Sequence, residues 1–312
     1  MRLLSVFYIL LPSIWGESLP RIVTLTDPDL LVRYGGRIPR YAGGNAIVAE
    51  SHARSSAEAA IRLYDLQSGA WKTLNVWPDG EPVADLFVNQ VSPLVGGRVA
   101  VAMRVVSGTN QRAEVLSVFG PAGRSSTRIR TNPLAFDSFA VDPQGRYWVF
   151  GVCPDYLAEQ CGSEYSTVRG YSPDGREIAS FLPASHIGPD AWKPRFPSET
   201  TNRIFAGEGR IGLYAGHFRH WIELDYEGHE LARVPVTFPK GVTGIRLAMS
   251  DSGRVFASGN GSASLFELNK SSGEFERVGD FGGSLCGYEN GSLVFMSFDV
   301  GRETRFRFVP LP

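Results

Sequence analysis

The chain has 312 residues, 43% hydrophobic and 20% charged, enough apolar material for one large all-β domain or two ordinary ones. Formal net charge is −1 and no basic stripe is visible, which argues against nucleic-acid binding by phosphate neutralisation. The 35 Gly and 20 Pro fall between short apolar runs, the arrangement of many turns and not of disorder.

The N-terminus reads as an export signal. Arg2 supplies the charge, Leu3 to Trp15 is a mostly apolar run of 13 residues, and Gly16 and Ser18 offer a small-x-small cleavage pattern. The run is too short to span a bilayer as a helix, and Pro12 interrupts it. No Cys follows it for a lipid anchor, and no later stretch approaches spanning length. Residues 1–18 are therefore expected to be a signal peptide. The mature protein is expected to be secreted or periplasmic, without a membrane span.

Arg21 to Thr26 alternates like a strand but has no hairpin partner beside it. From there the chain reads as hairpins in series, each an alternating run, a turn closed by Gly, and a second alternating run. YAGGNAIVAE turns near Gly44, and AIRLYDLQSGAWKTLNV at Gly69. VSPLVGGRVAVAMRVV turns at Gly97, and AEVLSVFGPAGRSSTRIR at Gly123. The third pair turns at Gly145 and Gly175, the fourth at Gly209 and Gly228, the fifth at Gly253 and Gly273. SLCGYENGSLVFMSF turns at Gly291, and RETRFRFVPL ends the chain.

Two hairpins make a four-stranded meander, and the meander recurs. The outer-turn glycines 69, 123, 175, 228 and 273 are 54, 52, 53 and 45 residues apart, in the range of propeller blades. Gly-Arg recurs at the inner turn, at 97–98, 145–146, 209–210 and 253–254. The sixth unit lacks its outermost strand, and the orphan Arg21 to Thr26 can supply it, closing a ring that leaves no sheet edge exposed. The fold class expected is an all-β, six-bladed propeller of four-stranded antiparallel blades. It forms a single domain over 19–312, with 182–202 as an inserted loop.

FAVDPQGRYWVFG resembles the first hairpin of an NHL-type repeat, and VRGYSPDGREIASF resembles its second. The resemblance covers most of the mature chain and implies a six-bladed architecture of the NHL-like kind. The Gly-His and Trp-Asp marks of WD repeats are absent. Similar propellers include lactonases, whose metal is held by Glu, Asn and Asp at the channel mouth; no such trio matches here position by position. They also include enzymes like streptogramin lyase, for which a His near the channel, His217 or His220, is the candidate.

Chemistry is expected on the face opposite the glycine turns, where the longer connections lie. These are 51–60, 105–114, the segment between Cys153 and Cys161, 216–221 and 182–202. The insertion holds His186, Trp192 and Arg195, and Trp with Arg commonly anchors binding surfaces. His217, Arg219 and His220 form a basic-aromatic cluster, and His52 and His186 are candidates to join it. Two His without a third ligand in reach do not make a zinc site, so no metal and no cofactor is expected. Cys153 and Cys161 are expected to form a disulfide, and Cys286 to be a buried small hydrophobe. No G-x-S-x-G, H-E-x-x-H or phosphate loop is present. The reading is an exported monomeric binding module for a protein, small-molecule or carbohydrate ligand. The alternative is an enzyme of lactonase or lyase type at the channel mouth.

Overall fold

The computed structural model describes residues 20–27, 30–31, 40–49, 52–78, 83–109, 111–153, 161–162, 164–187, 202–216, 218–259 and 262–311. The expected signal peptide, and Trp192, Arg195 and His217, lie outside the described residues.

β1 (Arg21–Leu25) is far in sequence from the rest of its sheet. Blade one follows as β2 (Arg40–Ala42) and β3 (Asn45–Ala49), then, after β4 (His52–Ala53) has left the sheet, β5 (Ala60–Asp65) and β6 (Trp71–Asn75). Blade two is β7 (Val83–Pro93), β8 (Val99–Ser107), β9 (Arg112–Phe119) and β10 (Ser125–Arg130), with β4 added beside β7 as a fifth strand. Blade three is β11 (Ala135–Val141), β12 (Tyr147–Val152), β13 (Ser166–Tyr171) and β14 (Glu177–Pro183), followed by one helical turn, α1 (Ala184–Ile187). Blade four is β15 (Arg203–Gly207), β16 (Arg210–Ala215), β17 (His220–Leu224) and β18 (Glu230–Pro235). Blade five is β19 (Arg246–Met249), β20 (Val255–Ser258), β21 (Ser264–Asn269) and β22 (Glu274–Asp280). Blade six is β23 (Ser284–Glu289), β24 (Ser292–Asp299) and β25 (Glu303–Pro310), with β1 as its outermost strand. The protein is thus a six-bladed β-propeller of antiparallel sheets.

The expected closure is present. β1 runs antiparallel to β25, Arg21 opposite Phe308, Val23 opposite Phe306 and Leu25 opposite Thr304. Past it, the Thr304 hydroxyl donates to the Leu30 carbonyl at 2.6 Å, and Trp71 Nε1 donates to Asp27 at 3.2 Å. The N-terminal segment is therefore tied to the last blade and to the outermost strand of the first.

A blade buries both faces of its sheet against its neighbours, so its inner strands read as continuous apolar runs. β8 is buried at seven of its nine positions and β20 at all four. The outer strands are half-wet, as the exposed positions of β14, β18 and β22 show. Among the described residues, the buried ones group into six clusters, one at each junction between blades. Leu86 and Met103 pack against Ile61 and Leu74 between blades one and two. Trp148 and Phe150 pack against Ile211 and Ile222 between three and four. Leu25, Phe306 and Phe308 pack against Ala46 and Val48 where the ring closes.

All eleven turn glycines named above have positive φ, from +65° at Gly209 to +92° at Gly228. Gly228 also needs to be small, because a Cβ there would sit 2.7 Å from the Phe181 ring. The recurrent Gly-Arg places a guanidinium at the start of the second strand, where it meets a carboxylate of its own blade. Arg146 Nε donates to Asp142 at 2.6 Å, Arg210 to Glu223 at 3.2 Å and Arg254 to Glu267 at 2.7 Å. Arg98 differs, its Nε donating to the Val95 carbonyl at 3.4 Å.

Three boundaries differ from expectation. His52–Ala53 is not loop but the strand β4, because the connection out of β3 crosses to the free inner edge of β7. Segment 105–114 is mostly strand, since β8 continues to Ser107 and β9 begins at Arg112. Leu182 and Pro183 belong to β14, and 184–187 form α1, so the insertion begins later than 182.

Candidate functional site

The first strand of each blade ends at its glycine turn, so its start lies on the opposite face, with the long connections. These inner strands surround a central channel with a cavity of about 490 Å³, whose lining includes Asn89, Ser138, Arg203, Asp251, Cys286 and Tyr288. Every step around the channel carries a polar bond between neighbouring blades. Arg40 Nη1 donates to the Asn89 carbonyl at 3.2 Å. The Gln90 side chain holds the Phe139 backbone at both ends, at 2.9 and 3.0 Å. Ser138 Oγ accepts from Ile204 N at 3.1 Å and donates to the Asn202 carbonyl at 3.4 Å. Glu208 N donates to the Asp251 carbonyl at 3.0 Å, and the Tyr288 hydroxyl to Asp251 Oδ2 at 3.2 Å. The Tyr41 hydroxyl donates to Glu289, completing the circuit.

These bonds set the levels of strands that are distant in sequence. Gln90 faces Phe139, and Ser138 faces residues 202–204, so Asn89, Ser138 and Arg203 share a level. Arg40 reaches that level through Asn89. Glu208 is bonded to Asp251, and five residues back along each strand lie Arg203 and Arg246. Arg40, Arg203 and Arg246 therefore share one rim, on the loop face. Arg246 is exposed and its guanidinium has no hydrogen bond or ion pair among the described residues. Its charge acts on Cys286, drawing down a thiol that burial nevertheless pushes up to about 11. Cys286 is partly buried on the channel wall, packed against the core where the ring closes, its Sγ 3.3 Å from the Ser284 carbonyl. At the other end of the channel the charge reverses, with Asp251 and Glu289 beside the glycine turns. Burial, with the hydrogen bond to Glu289, drives the Tyr41 hydroxyl far above the usual tyrosine range.

Above the rim, β7 projects beyond the blade and β4 lies along its channel side, His52 opposite Phe87. The His52 ring stacks on Phe87 at 4.5 Å, and its Nε2 is 2.7 Å from Asp85 Oδ1. Arg54 Nε lies 3.4 Å from the same oxygen. The hydrogen bond to His52, followed by the charges of His52 and Arg54, holds the Asp85 carboxyl below its ordinary range.

The other expected site residues are spread over the same face. His186 is exposed on α1 at the outer side of the ring, where its carbonyl accepts from Arg233 of β18 at 2.8 Å. His220 opens β17, with Nδ1 bound to the Phe218 carbonyl at 2.8 Å. Arg219, just before it, is in the left-handed region at φ +51° and lines a second cavity, between blades four and five. His52 therefore sits at the channel, His220 and Arg219 at the fourth blade's rim, and His186 at the periphery. Among the described residues no group of three or more His, Cys, Asp and Glu is placed to hold a metal ion. The expected disulfide joins Cys153 and Cys161, Cα atoms 6.4 Å apart. No helix among the described residues is long and apolar enough to cross a membrane. Sequence reasoning missed Arg40, Arg203 and Arg246. Their shared signal, an Arg opening the first strand of a blade, is visible only once the blade starts are known.

No family model and no curated protein matches the chain. Solved structures match at the level of the fold. The chain is similar to regucalcin, a calcium-binding protein of Agrobacterium tumefaciens, at 10% identity over 92% of this chain and 93% of that one, with a TM-score of 0.49. It is similar to virginiamycin B lyase of Staphylococcus aureus at 9% identity over 94% and 100%, with a TM-score of 0.46. A protein of unknown function from Bacteroides caccae matches at 14% identity over 75% and 78%, with a TM-score of 0.42.

Proposed function

We propose that the protein is an exported propeller that binds an anionic ligand, a polycarboxylate or an acidic sugar, over the mouth of its channel. The observation that carries this reading is the common level of Arg40, Arg203 and Arg246, with Arg246 unpaired among the described residues. Guanidinium groups present donors in a fork that matches a carboxylate. Asp85, above this rim, is already engaged by His52 and Arg54. A cavity of about 490 Å³ lies in the range of small-ligand sites. The Cys153–Cys161 disulfide supports an oxidising compartment.

The test is calorimetric titration of the purified protein with citrate, trigalacturonate and neutral maltotriose. Binding of an acidic probe alone, weakened by about tenfold or more in Arg203→Gln/Arg246→Gln, supports the reading. Equal binding by the variant, or binding of the neutral sugar alone, overturns it. One observation favours the alternative, an enzyme at the same mouth: Asp85 holds one ring nitrogen of His52 and leaves the other to accept a proton. Turnover of a lactone panel that is lost in His52→Gln would establish that reading.

A further inference from the structure

Between blades four and five, on the loop face, lies a cavity of about 150 Å³ walled by Tyr214, Arg219, Phe238, Pro239, Val242 and Ile245. Five of the six walls are aromatic or aliphatic, and they are fixed in place. Phe238 stacks on Phe275 with ring centroids 4.9 Å apart and meets Tyr214 edge-on at 5.8 Å. The connection carrying Phe238 to Ile245 is pinned at both sides. Val236 N donates to the Arg219 carbonyl at 2.6 Å, and Thr237 N to the Gly273 carbonyl at 2.9 Å. Val242 N donates to the Pro239 carbonyl at 3.2 Å.

The sixth wall is a cation. Arg219 is exposed, and its guanidinium has no hydrogen bond or ion pair among the described residues. Its backbone is held at φ +51°, a region that non-glycine residues seldom occupy and that local structure must enforce. Here the enforcement comes from Arg219 N donating to the Gly216 carbonyl at 3.3 Å and from the Val236 bond. A rigid apolar box with one unpaired guanidinium at its edge selects a ligand with the complementary halves. A cavity of about 150 Å³ accepts one benzene-sized group, and the guanidinium takes a carboxylate.

We propose that this cavity is a second binding site, for a single aromatic or branched aliphatic group bearing a carboxylate. The chemistry is shared by free aryl acids and by the C-terminal residue of a peptide. It stands apart from the channel reading, since none of the rim arginines lines this cavity.

The experiment titrates the full protein with 3-phenylpropionate, N-acetylphenylalanine and N-acetylphenylalaninamide, followed by ligand-observed NMR and calorimetry. Both acids are expected to bind saturably, and the amide about tenfold more weakly or not at all. Arg219→Gln is expected to weaken the acids to the level of the amide with the melting temperature unchanged. Phe238→Ala is expected to remove binding of all three. Arg203→Gln/Arg246→Gln is expected to leave this site intact, which separates its fate from that of the channel. Tighter binding of N-acetylphenylalanine than of 3-phenylpropionate assigns the site to chain ends, and the reverse order to free acids. Absence of saturable binding of either acid up to about 10 mM, or equal affinity of the amide on the wild type, overturns the proposal. So does unchanged affinity in Arg219→Gln.

Discussion

Ring closure by β1 makes the sharpest energetic prediction, because neighbouring residues of one short strand face opposite ways. Leu25 is 4% exposed and packs among Leu30, Ala46, Phe306 and Phe308; Ile22, three residues earlier, is 56% exposed. Truncating a buried Leu to Ala removes its transfer free energy and leaves a cavity, together about 2–5 kcal/mol. The site is lined by two aromatic rings and lies between strands paired on β25 and β3, so it has little freedom to collapse. About 3 kcal/mol is the working figure for Leu25→Ala. At about 2–4 °C per kcal/mol for a chain of this size, the melting temperature should fall by about 6–12 °C. Ile22→Ala keeps the same backbone pairing with Arg307 but removes no buried contact, so it should stay within about 0.5 kcal/mol, or 2 °C. Thermal melts followed by circular dichroism measure both. Equal shifts in the two variants, or a shift below about 2 °C for Leu25→Ala, would refute the idea that this strand fastens the ring by packing on blade one.

Other consequences are open to direct measurement. Tyr41→Phe deprives Glu289 of a half-buried donor where blades six and one meet, and should lower stability by about 1 kcal/mol by urea denaturation. Gly273→Ala should cost more than Gly291→Ala, although both glycines have positive φ, +76° and +79°. A Cβ at 273 would fall on the Pro235 carbonyl oxygen, whereas nothing lies within 4 Å of one at 291. Hydrogen bonds from Arg233 hold the Glu230 carboxyl below the usual glutamate range. Its contribution is therefore complete above that range and is lost as pH falls through the depressed value. Glu230→Gln should lower stability slightly at neutral pH and leave it nearly unaffected below the depressed value, so that the acid limb of a stability-against-pH curve is flattened from its neutral end. Thiol titration of the unfolded chain should find one free group, Cys286, before reduction and three after it.

The blade pattern was legible because its signals are local. A turn of two to four residues needs positive φ whatever the rest of the chain does, and alternation declares a strand within a short window. That is why Gly44 to Gly291 mark the turns and why Arg21–Leu25 stood out as a strand lacking a neighbour. The missing partner of blade six could even be matched to that strand by counting. β4 was not legible, since His52–Ala53 is too short to alternate and forms only because β7 offers a free inner edge.

The sequence by itself determined the number of blades, the places of their turns, the closing strand and the Cys153–Cys161 pair. Only the tertiary structure decided which residues meet at the channel. Arg40, Arg203 and Arg246 are brought to one rim by bonds such as Gln90 to Phe139 and Glu208 to Asp251. Arg219 meets Phe238 and Ile245 because blade five packs on blade four. The difference is physical: a turn is specified by the dihedral needs of adjacent residues, whereas the height of one blade against the next is fixed by packing and hydrogen bonds between segments far apart in the chain.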